Sequence, residues 1–380
     1  MRNLKPLGIY IHIPFCIRKC KYCDFLSFAA DETTQKQYVE KLCVEIEHFF
    51  AQYKEYEVKT IFFGGGTPSI LEETLIEKIM QTLKEAVPFS EDAEVSLEAN
   101  PGTLDEKKLE GYRRAGINRL SMGLQSTQER ELKYLGRIHS YEDFLQSYRL
   151  ARKAGFTNIN VDLMSAVPYQ TLESWEETLD RILALKPEHI SAYSLIVEEG
   201  TPFYEDEQLE ELLADEDTER EMYVRTEEKL LEYGYHRYEV SNYATEGKEC
   251  AHNVLYWKRG DYIGFGLGAA SCIRDMRFKN TDSMKEYMET PWKELEERCE
   301  VEPLSLREQM EETMILGLRM TEGVSKEEFQ ERYGRTMEEE FGDAIAKHKA
   351  DGLLMEEKEW IRFTKRGFDL SNIVLCDFLS

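Results

Sequence analysis

The sequence predicts an α/β protein whose larger part consists of repeated strand–helix units, followed by a smaller, mainly helical domain. From residue 7 to about residue 200, short apolar runs rich in β-branched residues alternate with amphipathic stretches of helical period. Near residues 291–303 the composition changes, and the regular alternation has already faded. Repeated βα units build either an open doubly wound sheet or a full or partial barrel. Both architectures place ligand-binding loops after the carboxyl ends of the strands.

Six strand–helix units can be placed in order along the first 200 residues. The strands are predicted at residues 7–13, 59–63, 94–98, 118–123, 158–164 and 190–196, and the helices near 33–52, 72–87, 105–115, 127–135, 141–154 and 173–185. Gly116 and Gly155 stand where glycine commonly ends a helix, each just before the next strand. We assign residues 1–290 to this first domain.

The rest of the chain carries weaker patterns. Residues 205–232 form an acidic helical stretch, residues 235–243 are predicted as a strand, and residues 252–280 are rich in glycine and aromatic side chains. We assign residues 291–380 to a second domain. Three short helices are predicted over residues 304–350, followed by strands at 360–364 and 371–375, in a helical or winged-helix-like arrangement.

Length and charge exclude several classes of function. The 380 residues suffice for a large core, and the formal net charge of −26 repels phosphate backbones and anionic lipid. We therefore expect no nucleic-acid partner. No apolar run approaches the ~20 residues that a membrane-spanning helix needs, so we expect no integral membrane segment. Eight cysteines, three of them crowded together, suit a reducing cytoplasm and one metal site.

The three crowded cysteines are the strongest local signal. Cys16, Cys20 and Cys23 have the spacing C-x3-C-x2-C in the loop that follows the first predicted strand. Three thiolates suit an iron–sulfur cluster that keeps one iron open for another ligand, whereas structural zinc normally takes four closed ligands. Zinc with a distant fourth ligand, such as His12 or Cys43, is the alternative. The interleaved Arg18, Lys19 and Lys21 would favour thiolates and offset the negative charge of a cluster.

Further polar residues follow the next strands. The second strand ends in Gly64-Gly65-Gly66-Thr67-Pro68, where backbone N–H and C=O groups without side chains can approach a ligand closely. Glu98 closes the third strand and Gln125 follows the fourth, and Arg137, beyond the next predicted helix, completes the series. Asp162 lies within an apolar strand, where an unpaired carboxylate is costly, so we expect a ligand or Arg137 as its partner.

On these residues the sequence resembles the radical S-adenosylmethionine (SAM) enzymes, whose fingerprint is C-x3-C-x2-C after the first strand of a partial (β/α)6 TIM-like barrel. The resemblance implies a 4Fe–4S cluster whose open iron binds the amino and carboxylate groups of SAM. One-electron reduction by an external reductant then cleaves SAM to a 5′-deoxyadenosyl radical. The cofactor would carry the difficult chemistry, and the protein would position it.

More narrowly, the order and spacing resemble the oxygen-independent coproporphyrinogen III dehydrogenases and their relatives, the HemW-type heme chaperones. That resemblance implies that the residues holding the cluster-bound SAM, besides the cysteines, are Tyr10, Gly65 and Glu98. The adjacent position, where the dehydrogenases bind a second SAM, would be lined by Tyr22, Gly66, Thr67, Gln125, Arg137 and Asp162.

Three observations favour the chaperone branch. The dehydrogenases extend their motif by a fourth cysteine, where this chain has Phe25, and carry an N-terminal extension ahead of the first strand that this sequence does not show. The chaperones are marked by H-N-x-x-Y-W, which matches His252-Asn253-Val254-Leu255-Tyr256-Trp257. An imidazole is a good axial ligand for heme iron, and Tyr256 and Trp257 could pack on a porphyrin face.

The sequence therefore predicts a cytoplasmic protein that binds heme, SAM and a 4Fe–4S cluster and passes heme to respiratory heme proteins. The alternative is a coproporphyrinogen III dehydrogenase that uses the same SAM residues. A winged-helix regulator is disfavoured by the 18 acidic and 11 basic residues of positions 301–380. Whether SAM is cleaved, and whether the chain forms a homodimer, the sequence leaves open.

Overall fold

The six predicted strands form one parallel sheet in chain order. The computed structural model describes residues 4–379, apart from the side chain of residue 298. The strands are β1 (Lys5–Ile13), β2 (Tyr56–Gly65), β3 (Phe89–Ala99), β4 (Arg119–Gln125), β5 (Ile159–Ser165) and β6 (His189–Ser194). Their order in the sheet runs from β1 to β6 without a reversal, whereas a doubly wound sheet reverses at a switch point. The parallel part therefore has the order of a partial barrel.

Six helices return the chain between these strands, and each overlaps a predicted one. They are α1 (Glu32–Gln52), α2 (Glu73–Ala86), α3 (Glu106–Ala115), α4 (Glu129–Leu135), α5 (Tyr141–Lys153) and α6 (Leu172–Leu183). Asp31 begins α1 by accepting a hydrogen bond from the Thr34 amide at 2.8 Å. Gly116 and Gly155 have φ of +108° and +87°, as expected of glycines at helix ends.

Later segments extend the sheet on both sides. They are α7 (Leu209–Leu212), α8 (Glu216–Glu232), β7 (His236–Arg237), β8 (Asn242–Ala244), α9 (Ala251–Trp257), β9 (Tyr262–Phe265), β10 (Ala270–Ile273), β11 (Met276–Lys279), α10 (Met284–Glu289), α11 (Trp292–Arg298) and β12 (Val301–Pro303). Strand β9 pairs in parallel with β1, β10 to β12 continue that side, and β8 and β7 pair antiparallel beyond β6.

The single strand predicted at residues 235–243 is two strands, β7 and β8, joined by a turn. The buried carboxylate of Glu239 stabilises the turn, because it accepts a hydrogen bond from the Ser241 amide at 2.9 Å. The alternating apolar pattern gave no sign of this local side-chain bond.

The second domain has its own core. Its elements are α12 (Leu306–Gly317), β13 (Val324–Ser325), α13 (Lys326–Tyr333), α14 (Met337–Ala350), β14 (Leu354–Glu357), β15 (Trp360–Phe363), α15 (Lys365–Asp369) and α16 (Ser371–Cys376). The three predicted helices are present, but the strand predicted at 371–375 is helix α16, which packs Val374 and Leu375 into the core. Because β12 still pairs with β11 and Leu295 packs in the first core, we propose a domain boundary close to Pro303.

The two faces of the parallel strands differ in chemistry. Along β1, Leu7, Ile9 and Ile11 are fully buried in the core cluster beneath the helices. Tyr10 and His12 alternate with them and point to the inner face of the barrel, where polar side chains of the neighbouring strands gather. Among residues 4–379, no helix is both long and apolar enough to cross a lipid bilayer.

Candidate cluster and cofactor site

The cysteine loop lies at the carboxyl end of β1, as predicted. An isolated bridge between Phe15 and Phe28 closes the loop, and the Cys16 amide donates to the Phe28 carbonyl at 3.0 Å. The Lys21 amide donates to the Leu135 carbonyl at 3.0 Å, which ties the middle of the loop to the end of α4. All three cysteines are free thiols, with Cys16 buried and the other two partly exposed.

The donor set of this loop fits a cluster. The Cys16 sulfur is 3.3 Å from Thr67 Oγ1, and Arg137 Nη1 donates to the Cys20 sulfur at 3.5 Å. A guanidinium against one of three unpaired thiols would partly neutralise a negative cluster, whereas burial raises the pKa of Cys23 to about 11. Within the described chain, no three ligand side chains converge on one point as a lone ion requires. The thiolates of a cluster instead bind separate irons.

The glycine loop after β2 is packed against the start of the cysteine loop. A Cβ atom at Gly65, where φ is +107°, would lie 2.4 Å from His12 Cε1, and a Cβ at Gly66 would lie 2.7 Å from the Phe15 carbonyl oxygen. The amides of Gly66 and Thr67 donate to the carbonyls of Ile13 and Phe15, each at 2.8 Å. We expected the three glycines to expose backbone groups to a ligand; the Gly66 amide instead joins the two loops, so that expectation is wrong for this amide.

Two carboxyl groups of the barrel, those of Glu98 and Asp162, interact electrostatically. Burial, and to a smaller extent the charge of Asp162, raises the pKa of Glu98 to about 8, although a hydrogen bond from the Gly65 amide opposes the change. Burial also raises the pKa of Asp162, whose oxygens accept bonds from Asn160 Nδ2 at 2.7 Å and Ser121 Oγ at 3.2 Å. At neutral pH Glu98 is therefore largely protonated and can donate a hydrogen bond.

Arg137 is not the partner of Asp162. Its guanidinium donates to Asn100 Oδ1 at 2.7 Å and to the Gly123 carbonyl, besides the Cys20 sulfur. The cation that acts on Asp162 is Arg119. This residue is buried, and its positive charge lowers the pKa of Asp162, which opposes the effect of burial. The sequence analysis did not single out Arg119, because an arginine at the start of a strand usually faces solvent.

The polar atoms beside Arg137 are only partly satisfied. Gln125 ends β4 with φ of +76°, and its buried carboxamide oxygen has no hydrogen-bond partner among the described residues. The same holds for Nε of Arg137. A non-glycine residue in the left-handed region and a buried polar atom without a hydrogen-bond partner both lower the stability of the folded state. Such features are concentrated at ligand sites. This corner therefore fits a polar ligand such as the amino-acid part of SAM.

The two predicted tyrosines lie beside these groups. The Tyr10 hydroxyl donates to His12 Nδ1 at 3.0 Å, since His12 Nε2 donates to the Leu26 carbonyl at 2.9 Å. Burial raises the pKa of both Tyr10 and Tyr22, so both keep their protons and act as donors. The sequence analysis named His12 only as an alternative zinc ligand and did not single out Asn100, whereas the structure places both beside these groups. Alternation along β1 and the position just after β3 could have indicated them.

His252 is placed differently from the expectation. It lies near the start of α9 and is 1% exposed. Its Nδ1 is 2.8 Å from Thr60 Oγ1, its Nε2 is 2.9 Å from the Tyr256 hydroxyl, and its ring stacks on Phe62 at a centroid distance of 5.3 Å. Burial lowers the pKa of His252 to about 3. With both ring nitrogens hydrogen-bonded and no exposed edge, this imidazole has no free lone pair for heme iron in this conformation.

Helix α9 fills the end of the barrel opposite the cysteine loop. Glu94 on β3 accepts the amides of Ala251 and His252 at 3.2 and 3.3 Å, which fixes the start of the helix. Glu98 lies four residues further along β3, about 13 Å at ~3.3 Å per residue. The segment of residues 252–257 therefore lies at the amino-terminal end of the barrel.

Comparison with known proteins agrees with this architecture. The model of the radical SAM superfamily matches residues 10–182, and that of the HemN C-terminal domain matches residues 304–370. The solved structure of the coproporphyrinogen III oxidase HemN from Escherichia coli superposes with a TM-score of 0.85 over 99% of this chain and 90% of the other, at 24% identity. At that identity the likeness shows the fold.

Two curated relatives decide the family. The heme chaperone HemW of Bacillus subtilis is 38% identical over 97% of this chain and 98% of its own length. The chain belongs to the HemW family of the radical SAM superfamily. The HemW protein of Escherichia coli is 35% identical over the full length of both chains. The fold predicted from the sequence, a partial radical SAM barrel followed by a small helical domain, is confirmed for this HemW family member.

Proposed function

We propose that this protein is a heme chaperone: it binds heme and passes it to heme-requiring proteins of respiration. The observation that carries the proposal is the 38% identity with the Bacillus subtilis heme chaperone over nearly the whole of both chains. Free cysteines and a loop suited to an oxygen-sensitive cluster support a place in the reducing cytoplasm.

We further propose that Cys16, Cys20 and Cys23 hold a 4Fe–4S cluster and that SAM binds beside it. When bound, the cluster supplies an open iron for SAM and a one-electron path to its sulfonium bond. Arg137 would donate a hydrogen bond to the Cys20 sulfur, and a protonated Glu98 would donate a hydrogen bond to the bound SAM. Tyr10 and Gly65 complete this position. The Gly65 amide donates a hydrogen bond that orients the Glu98 side chain, and His12 accepts one that orients the Tyr10 side chain.

A second position would lie toward Gln125, Arg137 and Asp162. The orphaned Gln125 oxygen accepts, and the Arg137 Nε donates, so together they can bind a zwitterionic amino-acid group. Tyr22, Gly66 and Thr67 border this position from the two loops. The Gly66 and Thr67 amides already donate to backbone carbonyls of the cysteine loop. These two residues would therefore shape the wall of the second position without donating backbone hydrogen bonds to its ligand.

The structure also changes how we assign the H-N-x-x-Y-W motif. We propose that His252 positions α9 within the barrel and does not ligate heme. The dehydrogenase alternative gains no support beyond the fold, since the HemN likeness lies at 24% identity. At position 25 a 63% exposed phenylalanine stands in place of the extra cysteine.

Two parallel titrations test the proposal on the anaerobically reconstituted chain. In the first, heme is added and its absorption band is followed. In the second, coproporphyrinogen III, SAM and a reductant are added and the decarboxylated product is measured. We expect stoichiometric heme binding without product. Product formation without tight heme binding would assign the protein to the dehydrogenases instead.

A further inference from the structure

A row of hydrogen-bonded side chains runs through the barrel interior from the start of α9 to Asp162. The Cys250 amide donates to the Tyr238 hydroxyl at 3.2 Å, and that hydroxyl lies 2.8 Å from His189 Nε2. His189 Nδ1 lies 2.6 Å from Asn160 Oδ1, and Asn160 Nδ2 donates to Asp162 Oδ1 at 2.7 Å. We call these five residues the barrel relay. It connects the residue that precedes α9 with a residue of the proposed second position.

Strand register brings the middle of the barrel relay together. Strands β5 and β6 pair in parallel, with Asn160 opposite His189 and Asp162 opposite Ser191. Because side chains alternate along a strand, Asn160 and Asp162 share the inner face of the barrel. Ser191 Oγ donates a second hydrogen bond to Asn160 Oδ1, at 3.2 Å. The Asn160 carboxamide is therefore held from the side of β6 as well as from its own strand.

Four members of the barrel relay are shielded from solvent. Cys250, Tyr238, His189 and Asn160 are all buried, whereas Asp162 is partly exposed. A polar group left without a partner in the buried part would cost about 1–3 kcal/mol, so these bonds are strongly favoured in the folded state. The barrel relay therefore ends in one carboxylate that a ligand in the barrel can reach.

The donor end of the barrel relay sets the direction of its hydrogen bonds. A backbone amide can only donate, so the Tyr238 hydroxyl accepts from Cys250 and directs its own proton to His189 Nε2. Burial lowers the pKa of His189 well below its ordinary value, so the ring is neutral and carries one N–H. That N–H is on Nδ1 and donates to Asn160 Oδ1. The carboxamide then has its NH2 group directed at Asp162.

The acceptor end requires the same direction. An ionised carboxylate only accepts, so Asn160 presents its NH2 group and Ser121 its hydroxyl proton to Asp162. A proton on Nε2 of His189 would instead turn the Asn160 carbonyl toward the Asp162 carboxylate and set two acceptors against each other. These hydrogen bonds and the charge of Arg119 favour the ionised form of Asp162, which opposes the effect of burial.

We propose that His189 is a positioning residue: by orienting Asn160, it keeps the Asp162 carboxylate as the anionic partner of a positively charged group in the second position. The inference rests on the proposed function, because it takes SAM, with its ammonium and sulfonium groups, as the ligand there. Because the barrel relay begins at Cys250, it also gives the helix that carries the H-N-x-x-Y-W motif a hydrogen-bonded connection to this position.

The direction of the barrel relay is tested on the protein without cofactors. Isotope labelling of the histidine nitrogens allows NMR to distinguish the two neutral tautomers, and the His189 signals are assigned by their loss in His189→Asn. We expect a protonated Nδ1 and a bare Nε2 in the wild type. Tyr238→Phe, which removes the donor to Nε2, should shift the Nε2 signal. A proton on Nε2 of His189 in the wild type would overturn the inference.

Equilibrium dialysis of SAM with the reconstituted protein tests whether His189 acts through Asp162. His189→Leu keeps much of the side-chain volume and loses both ring nitrogens, whereas His189→Asn is smaller and keeps an NH2 group that can donate to Asn160. We expect SAM affinity to fall at least tenfold in His189→Leu and to stay within threefold in His189→Asn. In an Asp162→Asn background, His189→Leu should lower the affinity no further.

The controls separate positioning from packing. His236→Leu, at a partly exposed histidine, should leave SAM affinity unchanged. Should His189→Leu fail to fold, Tyr238→Phe takes its place in both backgrounds, because it loses a single hydroxyl. Equal losses with and without the Asp162 carboxylate would overturn the inference, as would wild-type affinity in His189→Leu or weaker binding by His189→Asn than by His189→Leu. A wild type that assembles its cluster but binds no SAM would refute the proposed cofactor itself.

Discussion

The hydroxyl of Tyr256 lies 2.9 Å from Nε2 of His252, within a single turn of α9. On the other side of the ring, Thr60 Oγ1 is 2.8 Å from Nδ1. The imidazole therefore links the helix to β2 and is occupied on both nitrogens. This pairing changes the expected outcome of mutating the motif that most clearly marks the family.

The first prediction concerns His252→Ala. Loss of the buried ring removes the stack on Phe62 and leaves the Thr60 and Tyr256 hydroxyls without their partner. We expect the free energy of unfolding to fall by about 2–4 kcal/mol, measured by urea denaturation of the protein without cofactors. Heme affinity should change less than twofold. His236→Ala, at a partly exposed position, is the control. A tenfold loss of heme affinity in a stable His252→Ala protein would restore the histidine as a ligand.

The second prediction separates backbone strain from packing at Gly65. A Cβ there meets the His12 ring, whereas a Cβ at Gly102, which also has a positive φ of +82°, meets nothing within 4 Å. Gly102→Ala should lower the free energy of unfolding by roughly 1 kcal/mol through strain alone. Gly65→Ala should lower the free energy of unfolding by clearly more than Gly102→Ala does. It should also lower the amount of iron that the protein binds after reconstitution. Equal effects of the two substitutions would mean that the contact with His12 is unimportant.

The third prediction addresses the guanidinium at the cysteine loop. Arg137→Lys keeps one positive charge but cannot donate at once to Asn100, Gly123 and Cys20. We expect SAM affinity, measured by equilibrium dialysis of the reconstituted protein, to fall at least tenfold. Arg130→Lys, on the exposed side of α4, should leave it unchanged. Wild-type affinity in Arg137→Lys would show that charge alone suffices.

The fourth prediction is a pH dependence that Glu98 imposes on stability. Its pKa is raised to about 8 in the folded protein from the ordinary 4.5, so between these values the folded state binds the proton more tightly than the unfolded state. Stability contributed by this proton is present at low pH and is lost as the pH rises toward 8. Glu98→Gln cannot lose a proton. Its stability relative to the wild type should therefore increase from pH 5 to pH 8, by up to about 1.4 kcal/mol per pH unit. A constant difference in urea denaturation across that range would contradict the raised pKa.

Much of the first domain could be predicted because its signals are local. The six strands and six helices follow from hydrophobic period and from glycines such as Gly116, and the cysteine spacing indicated the loop that matters. Residues 371–375 were misassigned because a short apolar run fits a strand or a helix equally well.

The inner face of the barrel could not be predicted in the same way. The burial of His252 depends on Thr60, Phe62 and Glu94, which lie more than a hundred residues earlier in the chain. Likewise, nothing near Gly65 in the sequence indicates that His12 fills the space beside it. Such contacts arise from tertiary packing, which local patterns do not encode.

The pairing of β1 with β9 has a consequence for biosynthesis. Gly8 aligns with Tyr262, so the two strands are about 250 residues apart in the chain. At ~5–20 residues per second, a ribosome needs about 13–50 s to make the second strand after the first. During that time β1 can pair with β2 while its other edge stays open. The cysteine loop at the end of β1 therefore reaches its final support only late in translation, which favours insertion of a cluster after synthesis is nearly complete.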